Sequence, residues 1–343
     1  MYFMQSSARH DLTLTTNPLG CSPLIPVQEH AGDNLAHYPS KENIALKAAL
    51  AEKTGLTPAN IILGAGIDGL LFAIFGSCLL AGSTVVAPEV TFPKVATIVS
   101  RFGSTLRFVK MKQGLETDFD AMKSAAGSAS ITYLANPNNP TGIVEKQSEI
   151  RRLCEAARGS VVVDEANGEF DDSESCLGLI HDIPNLIVLR TFSKAYGLAC
   201  LRVGYCAANE QIIAQLEARS PRFPVSGLSA RIALIGLNDD NHIQRTVEHV
   251  GTQTKMLVAA LRSRGIWCSA STANCFVMHL PPQLGSGPDF LAFCAENGIS
   301  LVPGEEFGLS KNHFRVAPQL NEGSAALIAA IDTFVHTRIH DSS

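Results

Sequence analysis

From residue 60 onward the apolar positions alternate between short β-branched runs and longer stretches with helical spacing. Residues 60–63 predict a strand that runs into Gly64-Ala65-Gly66-Ile67-Asp68-Gly69, with an apolar helix over 70–80. Strands are predicted over 84–87, 105–109 and 131–135, and helices over 92–102 and 118–126. A helix over 146–157 precedes Ser160-Val161-Val162-Val163, a β-branched run that predicts a central buried strand. Strands over 186–189 and 203–207, a helix over 210–218 and a long helix or helix pair over 227–264 follow. Beyond about residue 251 the pattern becomes a smaller α+β one. It has strands over 266–269, 275–280, 300–302 and 313–316, a helix over 289–297 and a closing helix over 324–337. Before all this, residues 13–26 are rich in Thr, Pro and Gly and predict an extended arm. Ser40 with Asn43 is expected to cap an alanine-rich helix reaching about residue 54.

Strands alternating with helices predict an α/β fold, its sheet mostly parallel and covered by helices on both faces. Such sheets bind ligands at the carboxyl ends of their strands. The chain's 343 residues suffice for a large core. With 46% hydrophobic and 17% charged residues and a net charge of -5, there is no polybasic footprint, which argues against nucleic acid as a partner. Nine cysteines, without a C-x-x-C pair or zinc-type spacing, predict reduced thiols, a cytoplasmic location and no metal. Residues 1–14 lack the apolar core of a signal peptide, and the longest apolar stretch, 69–80, is too short to span a membrane.

Three predicted strand ends carry chemistry. Residues 131–135 lead into Asn136-Pro137-Asn138-Asn139-Pro140-Thr141-Gly142, held rigid by two prolines and a glycine. Residues 161–163 lead into Asp164-Glu165; Asp164 there is costly unless partnered, although a helix N-cap is an alternative role. Residues 186–189 lead into Thr191-Phe192-Ser193-Lys194, with Arg202 eight residues on. A buried lysine sheds its proton and becomes a nucleophile toward aldehydes, whereas a surface lysine snorkels into water. The glycine-rich turn at 64–69 is an anion site or a plain turn. By itself Tyr38, in His37-Tyr38-Pro39, reads as a half-buried loop aromatic, and Arg315, at a predicted strand end, as a surface ion pair.

Asn-Pro-Thr-Gly at 139–142, Asp164-Glu165-Ala166 after a Val-rich strand, and Ser193-Lys194 with Arg202 resemble the fold-type I aminotransferases that use pyridoxal 5′-phosphate (PLP), most closely the histidinol-phosphate aminotransferase branch. The resemblance implies a mostly parallel, seven-stranded-type sheet sandwiched by helices. It divides the chain into an arm over 1–40 joining a small domain, a large PLP-binding domain over 41–250 and a small α+β domain over 251–343. It implies that Lys194 holds PLP as a Schiff base and then shuttles the substrate proton, and that Asp164 keeps the ring nitrogen protonated. Asn139, with Asn167, would hold the ring hydroxyl oxygen, and Phe92 would stack on the ring. Gly66, Ile67, Asp68, Thr191, Ser193 and Arg202 would hold the phosphate, and Tyr38 would reach the phosphate of a second subunit, making a homodimer with shared sites. Arg315, Asn139 and Asn17 would bind the substrate.

The chain departs from the family pattern at several points. Asn167 replaces a tyrosine, Gly69 an acidic residue, and Thr15-Thr16-Asn17-Pro18 the arm's Asn-Glu-Asn-Pro. Val302 stands where phosphate-handling relatives carry an arginine. The expected reaction is transfer of an amino group between an amino acid, or a histidinol-phosphate-like amine, and a 2-oxo acid. The alternatives are a threonine-phosphate decarboxylase-like reaction or a specialised biosynthetic enzyme acting on a basic amino acid.

Overall fold

The computed structural model describes residues 8–25 and 38–341. Residues 1–7 and 26–37 of the expected arm, His37 among them, and residues 342–343 lie outside the described residues. Strand β1 (His10–Asp11) is followed by α1 (Ser40–Thr54), β2 (Ile61–Gly64), α2 (Gly66–Cys78), β3 (Thr84–Pro88), α3 (Lys94–Arg101), β4 (Thr105–Val109) and α4 (Phe119–Ala126). Then come β5 (Ile131–Ala135), α5 (Gln147–Ala156), β6 (Ser160–Asp164), β7 (Leu186–Thr191), β8 (Gly204–Ala208), α6 (Glu210–Glu217), α7 (Gly227–Leu237) and α8 (Asp240–Arg262). The chain continues through β9 (Trp267–Cys268), β10 (Phe276–His279), α9 (Gly287–Glu296), β11 (Ile299–Ser300), β12 (Val302–Pro303), β13 (His313–Val316) and α10 (Asn321–Asp341).

The large sheet has seven strands in the order β2-β8-β7-β6-β5-β3-β4. Neighbours from β4 to β7 run parallel, while β8 is antiparallel to both β7 and β2. The continuous apolar runs follow from burial on both faces. Val161, Val163, Leu186 and Val188 pack into one core, and Val162, Ile187 and Leu189 into the other. A second sheet, β12-β13-β10-β9, is antiparallel and packs Phe276, Met278 and Phe314 against Leu257, Phe290 and Phe334 of the surrounding helices. The arm joins this region through parallel pairing of His10 with Ile299 and Asp11 with Ser300.

Several expected boundaries shift for local reasons. Helix α2 starts at Gly66 rather than residue 70, so the glycine-rich segment supplies the helix's first turn. Helix α3 starts at Lys94, because Pro93 occupies the N-cap. The predicted cap of α1 is not formed by Asn43, which lies inside the helix and donates to the Val225 carbonyl at 3.2 Å; Pro39 is the N-cap residue. The stretch 227–264 is a helix pair, and Asp239 starts the second helix by accepting from His242 N at 3.1 Å. The single strand expected over 300–302 is two short pieces, β11 pairing with the arm and β12 with β13.

Candidate active site

The carboxyl ends of β5, β6 and β7 open onto one cavity of about 100 Å³. Its walls include Asn139 after β5, Asp164 at the end of β6 with Asn167 beyond it, and Thr191 at the end of β7 with Ser193 and Lys194 beyond it. Ile67 and Asp68 of α2, Phe92 and Arg202 complete the residues expected there from sequence. Gly66, beside Arg202, and Arg315, bonded to Asn139, are not among the lining residues.

Asp164 is 4% exposed. Tyr133, on β5, donates its hydroxyl to Asp164 Oδ2 at 2.7 Å, and Ala166 N donates to Oδ1 at 3.0 Å. Burial pushes the Asp164 carboxyl up to about 6 against these two bonds, which pull it down. Burial first, then the charge of Asp164, raises the Tyr133 phenol well above its ordinary range, so it stays a donor. Lys194 faces the opposite perturbation. Burial, and after it the Arg315 guanidinium, pulls its ammonium down to about 8. Its Nζ donates to Thr15 Oγ1 of the arm at 2.5 Å.

The turn after Asp164 rests on a buried ion cluster. Arg190 of β7 pairs with Glu165 at 2.7 Å and Glu169 at 3.2 Å, and Cys176 N donates to Glu165 at 2.6 Å. A Cβ on Gly168 would stand 2.7 Å from the Arg190 guanidinium carbon, so only glycine lets the turn pack this closely. The turn presents Asn167, 4% exposed, whose Oδ1 is buried without a hydrogen-bond partner.

At the other end of the cavity Arg202 takes φ 53°, a left-handed conformation that costs an ordinary residue about 1–2 kcal/mol. There its Nη1 donates to Ser193 Oγ at 3.4 Å, and Nη2 lies 3.9 Å from Asp68 Oδ2. Ser193 N donates to Thr191 Oγ1 at 3.2 Å. Gly66, at φ 69°, opens α2, and a Cβ there would stand 2.5 Å from Arg202 Nη2. Hydroxyls, a guanidinium and the free N–H groups of a helix start thus converge on one small volume, the arrangement that binds a phosphate.

These observations match PLP. The raised Asp164 carboxyl suits a protonated ring nitrogen, the glycine-backed cradle at Arg202 suits its phosphate, and Lys194 suits its aldehyde.

Arg315, on β13, is 5% exposed. Its Nη1 donates to Asn139 Oδ1 at 3.1 Å, Nη2 donates to the Thr13 carbonyl, Nε is buried without a partner, and the group lies 5.3 Å from the centre of the Phe307 ring. Val302 is its cross-strand partner and packs with Val90 and Phe307. Two expected residues lie elsewhere. Asn17 is consumed in holding the arm: its Nδ2 donates to the Ala195 carbonyl at 2.7 Å and Thr246 Oγ1 at 3.0 Å, and its Oδ1 accepts from Leu19 N at 2.8 Å. These bonds anchor the arm, and Asn17 is not among the residues lining the cavity. Tyr38 is 79% exposed, stacked on Phe223 at 5.1 Å, and is not among the residues lining its own chain's cavity.

Tyr133, Thr15 and the Arg190 cluster were not expected from sequence. Strand alternation offers a signal for Tyr133, since it shares a face with Ala135, whose register partner is Asp164. Thr15 carries none, because only the path of the arm brings it to Lys194.

Comparison with known proteins agrees with this geometry. Residues 22–331 match the family model described as aminotransferase class I and II. Histidinol-phosphate aminotransferase 2 of Carboxydothermus hydrogenoformans is 32% identical over 308 residues, covering 87% of this chain and 83% of the relative. The histidinol-phosphate aminotransferase of Halorubrum lacusprofundi is 30% identical over 328 residues, 94% of this chain and 87% of that one. The crystal structure of histidinol-phosphate aminotransferase from Sinorhizobium meliloti, in complex with pyridoxal-5′-phosphate, superposes with a TM-score of 0.88 at 25% identity, covering 96% of this chain and 92% of that chain. Aspartate aminotransferase from Thermus thermophilus shares the fold, with a TM-score of 0.83 at 19% identity over 96% of this chain and 91% of that one. A match over most of the length, with the strand-end groups gathered around one cavity, means that this chain belongs to the class I and II aminotransferase family.

Proposed function

We propose that this aminotransferase works with PLP held in the cavity at the ends of β5, β6 and β7, and that Lys194 is its covalent anchor. The observation that carries the reading is the convergence of a lysine held at about 8 and a carboxyl held at about 6 on the walls of one small cavity. When bound, PLP supplies an electron sink for the bonds of the carbon that bears the amine. Asp164, supported by Tyr133, holds a proton at the ring nitrogen. Asn139 and Asn167 donate to the ring hydroxyl oxygen, and Phe92 covers a face of the ring. Arg202, Ser193, Thr191 and the first turn of α2, residues 66–68, hold the phosphate. Arg315 fixes the substrate carboxylate through two parallel N–H bonds, orienting the Cα–H bond toward Lys194, which would take that proton and deliver it to a different carbon, the one that had been the cofactor's aldehyde carbon.

In the same reading the large PLP-binding domain is 41–250, the small domain is 251–343, and the arm over 1–40 joins the small one. The chain works as a homodimer in which Tyr38, exposed on its own subunit, reaches the partner's phosphate. Nine free thiols fit a reducing, cytoplasmic setting. No helix among the described residues is long and apolar enough to cross a membrane.

The test is a panel of amino acids and histidinol phosphate offered with 2-oxoglutarate. Glutamate is expected from at least one donor, and from none with Arg315→Ala at donor concentrations that saturate the wild type. Release of carbon dioxide without glutamate would replace transamination with decarboxylation.

A further inference from the structure

Thr15 belongs to the arm and lies outside every helix and strand, yet it is only 7% exposed. The backbone around it is tied down on both sides. The Thr13 carbonyl accepts from Arg315, the Leu14 carbonyl from Gln319 Nε2 at 2.7 Å, and the Thr15 carbonyl from Asn274 Nδ2 at 3.0 Å. Asn17 secures the far end through the Ala195 carbonyl, next to Lys194 itself. A β-branched side chain on so constrained a backbone has few rotamers available. Its hydroxyl oxygen stands 2.5 Å from Lys194 Nζ.

We propose that Thr15 is a positioning residue for the reaction: its hydroxyl receives the Lys194 amine whenever that amine is not bonded to the cofactor, and holds it in place in both of its protonation states. The inference rests on Lys194 being the reactive amine. A hydroxyl suits this task because its oxygen accepts a hydrogen bond from the ammonium and equally from an N–H of the neutral amine, whose lone pair stays free to take the substrate proton. Arg315 and Arg202, the cations facing the same amine, can only donate. The other groups that face it are Asp164, whose charge favours the ammonium, and the Cys275 thiol. A lysine that takes a proton from one carbon and delivers it to another has to stay within reach of both in either charge state, and Thr15 supplies a partner that serves both states.

The hydrogen bond is stronger to the charged form, so losing it should make the amine easier to deprotonate. The experiment compares full-length wild type, Thr15→Val, which keeps the shape without the hydroxyl, and Thr15→Ser, which keeps the hydroxyl. Lys194 is titrated without cofactor by competitive acetylation with acetic anhydride, read by mass spectrometry of its peptide. Single-turnover amino transfer is measured with PLP bound. Thr15→Val is expected to lower the Lys194 midpoint by about one pH unit and the transfer rate about tenfold, with substrate affinity little changed, and Thr15→Ser to restore both. A midpoint in Thr15→Val equal to wild type, or an unchanged transfer rate, overturns the proposal. Failure of the Lys194 reading itself shows separately, as a borohydride-reducible cofactor band that survives Lys194→Ala.

Discussion

At the scale of single residues, the site is built from groups held away from their ordinary charge states, and Asp164 shows what this costs. Its carboxyl is buried among Tyr133, Ala166 N and the cavity, and its folded value near 6 lies above the usual carboxylate range. A raised folded value means that the folded, cofactor-free chain holds this proton more tightly than the unfolded chain does. The stability tied to that proton is fully present below about pH 4 and is lost as pH rises through about 6, an effect on the order of 3 kcal/mol. Asp164→Asn, which keeps an acceptor for Tyr133 and removes the charge, should therefore raise the thermal midpoint of the cofactor-free protein at pH 8 more than at pH 4.5. The same variant should lose most activity, since a neutral amide cannot hold a proton on a ring nitrogen. Equal stabilisation at both pH values, followed by differential scanning fluorimetry, would contradict this placement of the charge. That Asp164, Asn139 and Lys194 lie at strand ends was legible in the sequence, because Asp164 directly follows an apolar run and the other two stand in the short turns after such runs. Tyr133 was not, since its role depends on strand register, and Thr15 was not, since its partner lies 179 residues away along the chain.

At the scale of elements, close approach between segments sets the geometry. Gly142 ends the Asn-Pro-Thr-Gly segment at φ 65°, and a Cβ there would lie 2.0 Å from Ser271 Oγ and 2.2 Å from the Cys275 carbonyl oxygen. Gly142→Ala should therefore destabilise the protein by about 1–3 kcal/mol and weaken cofactor retention, because the loop carrying Asn139 has to move. Thermal unfolding and equilibrium dialysis of PLP check the two effects, and a fully stable variant that retains PLP normally would contradict the packing. Element type was readable from periodicity across most of the chain, and boundaries were less so. Helix α2 begins four residues earlier than helix propensity suggests, since glycines favour a turn locally while the φ of 69° at Gly66 suits glycine at the start of the helix. The split of 299–303 between two sheets follows from which strands lie alongside, Asp11 for one half and Arg315 for the other, and such partners leave no local mark.

At the scale of the whole molecule, a mostly parallel sheet brings three strand ends to one place, and an antiparallel sheet with the N-terminal arm closes around it. Alternating strands and helices made the first part legible. The reversal of β8 and the route of the arm were not, because neither leaves a periodic pattern. The arm links the parts: it pairs with β11, passes the Arg315 guanidinium at Thr13 and reaches Lys194 at Thr15. The proposed chemistry rests on a single amine. The most direct test is to load the full-length protein with PLP, reduce it with borohydride, digest it and locate the cofactor by mass spectrometry. The cofactor is expected on Lys194 alone; its attachment to any other lysine, or to none, would contradict the assignment.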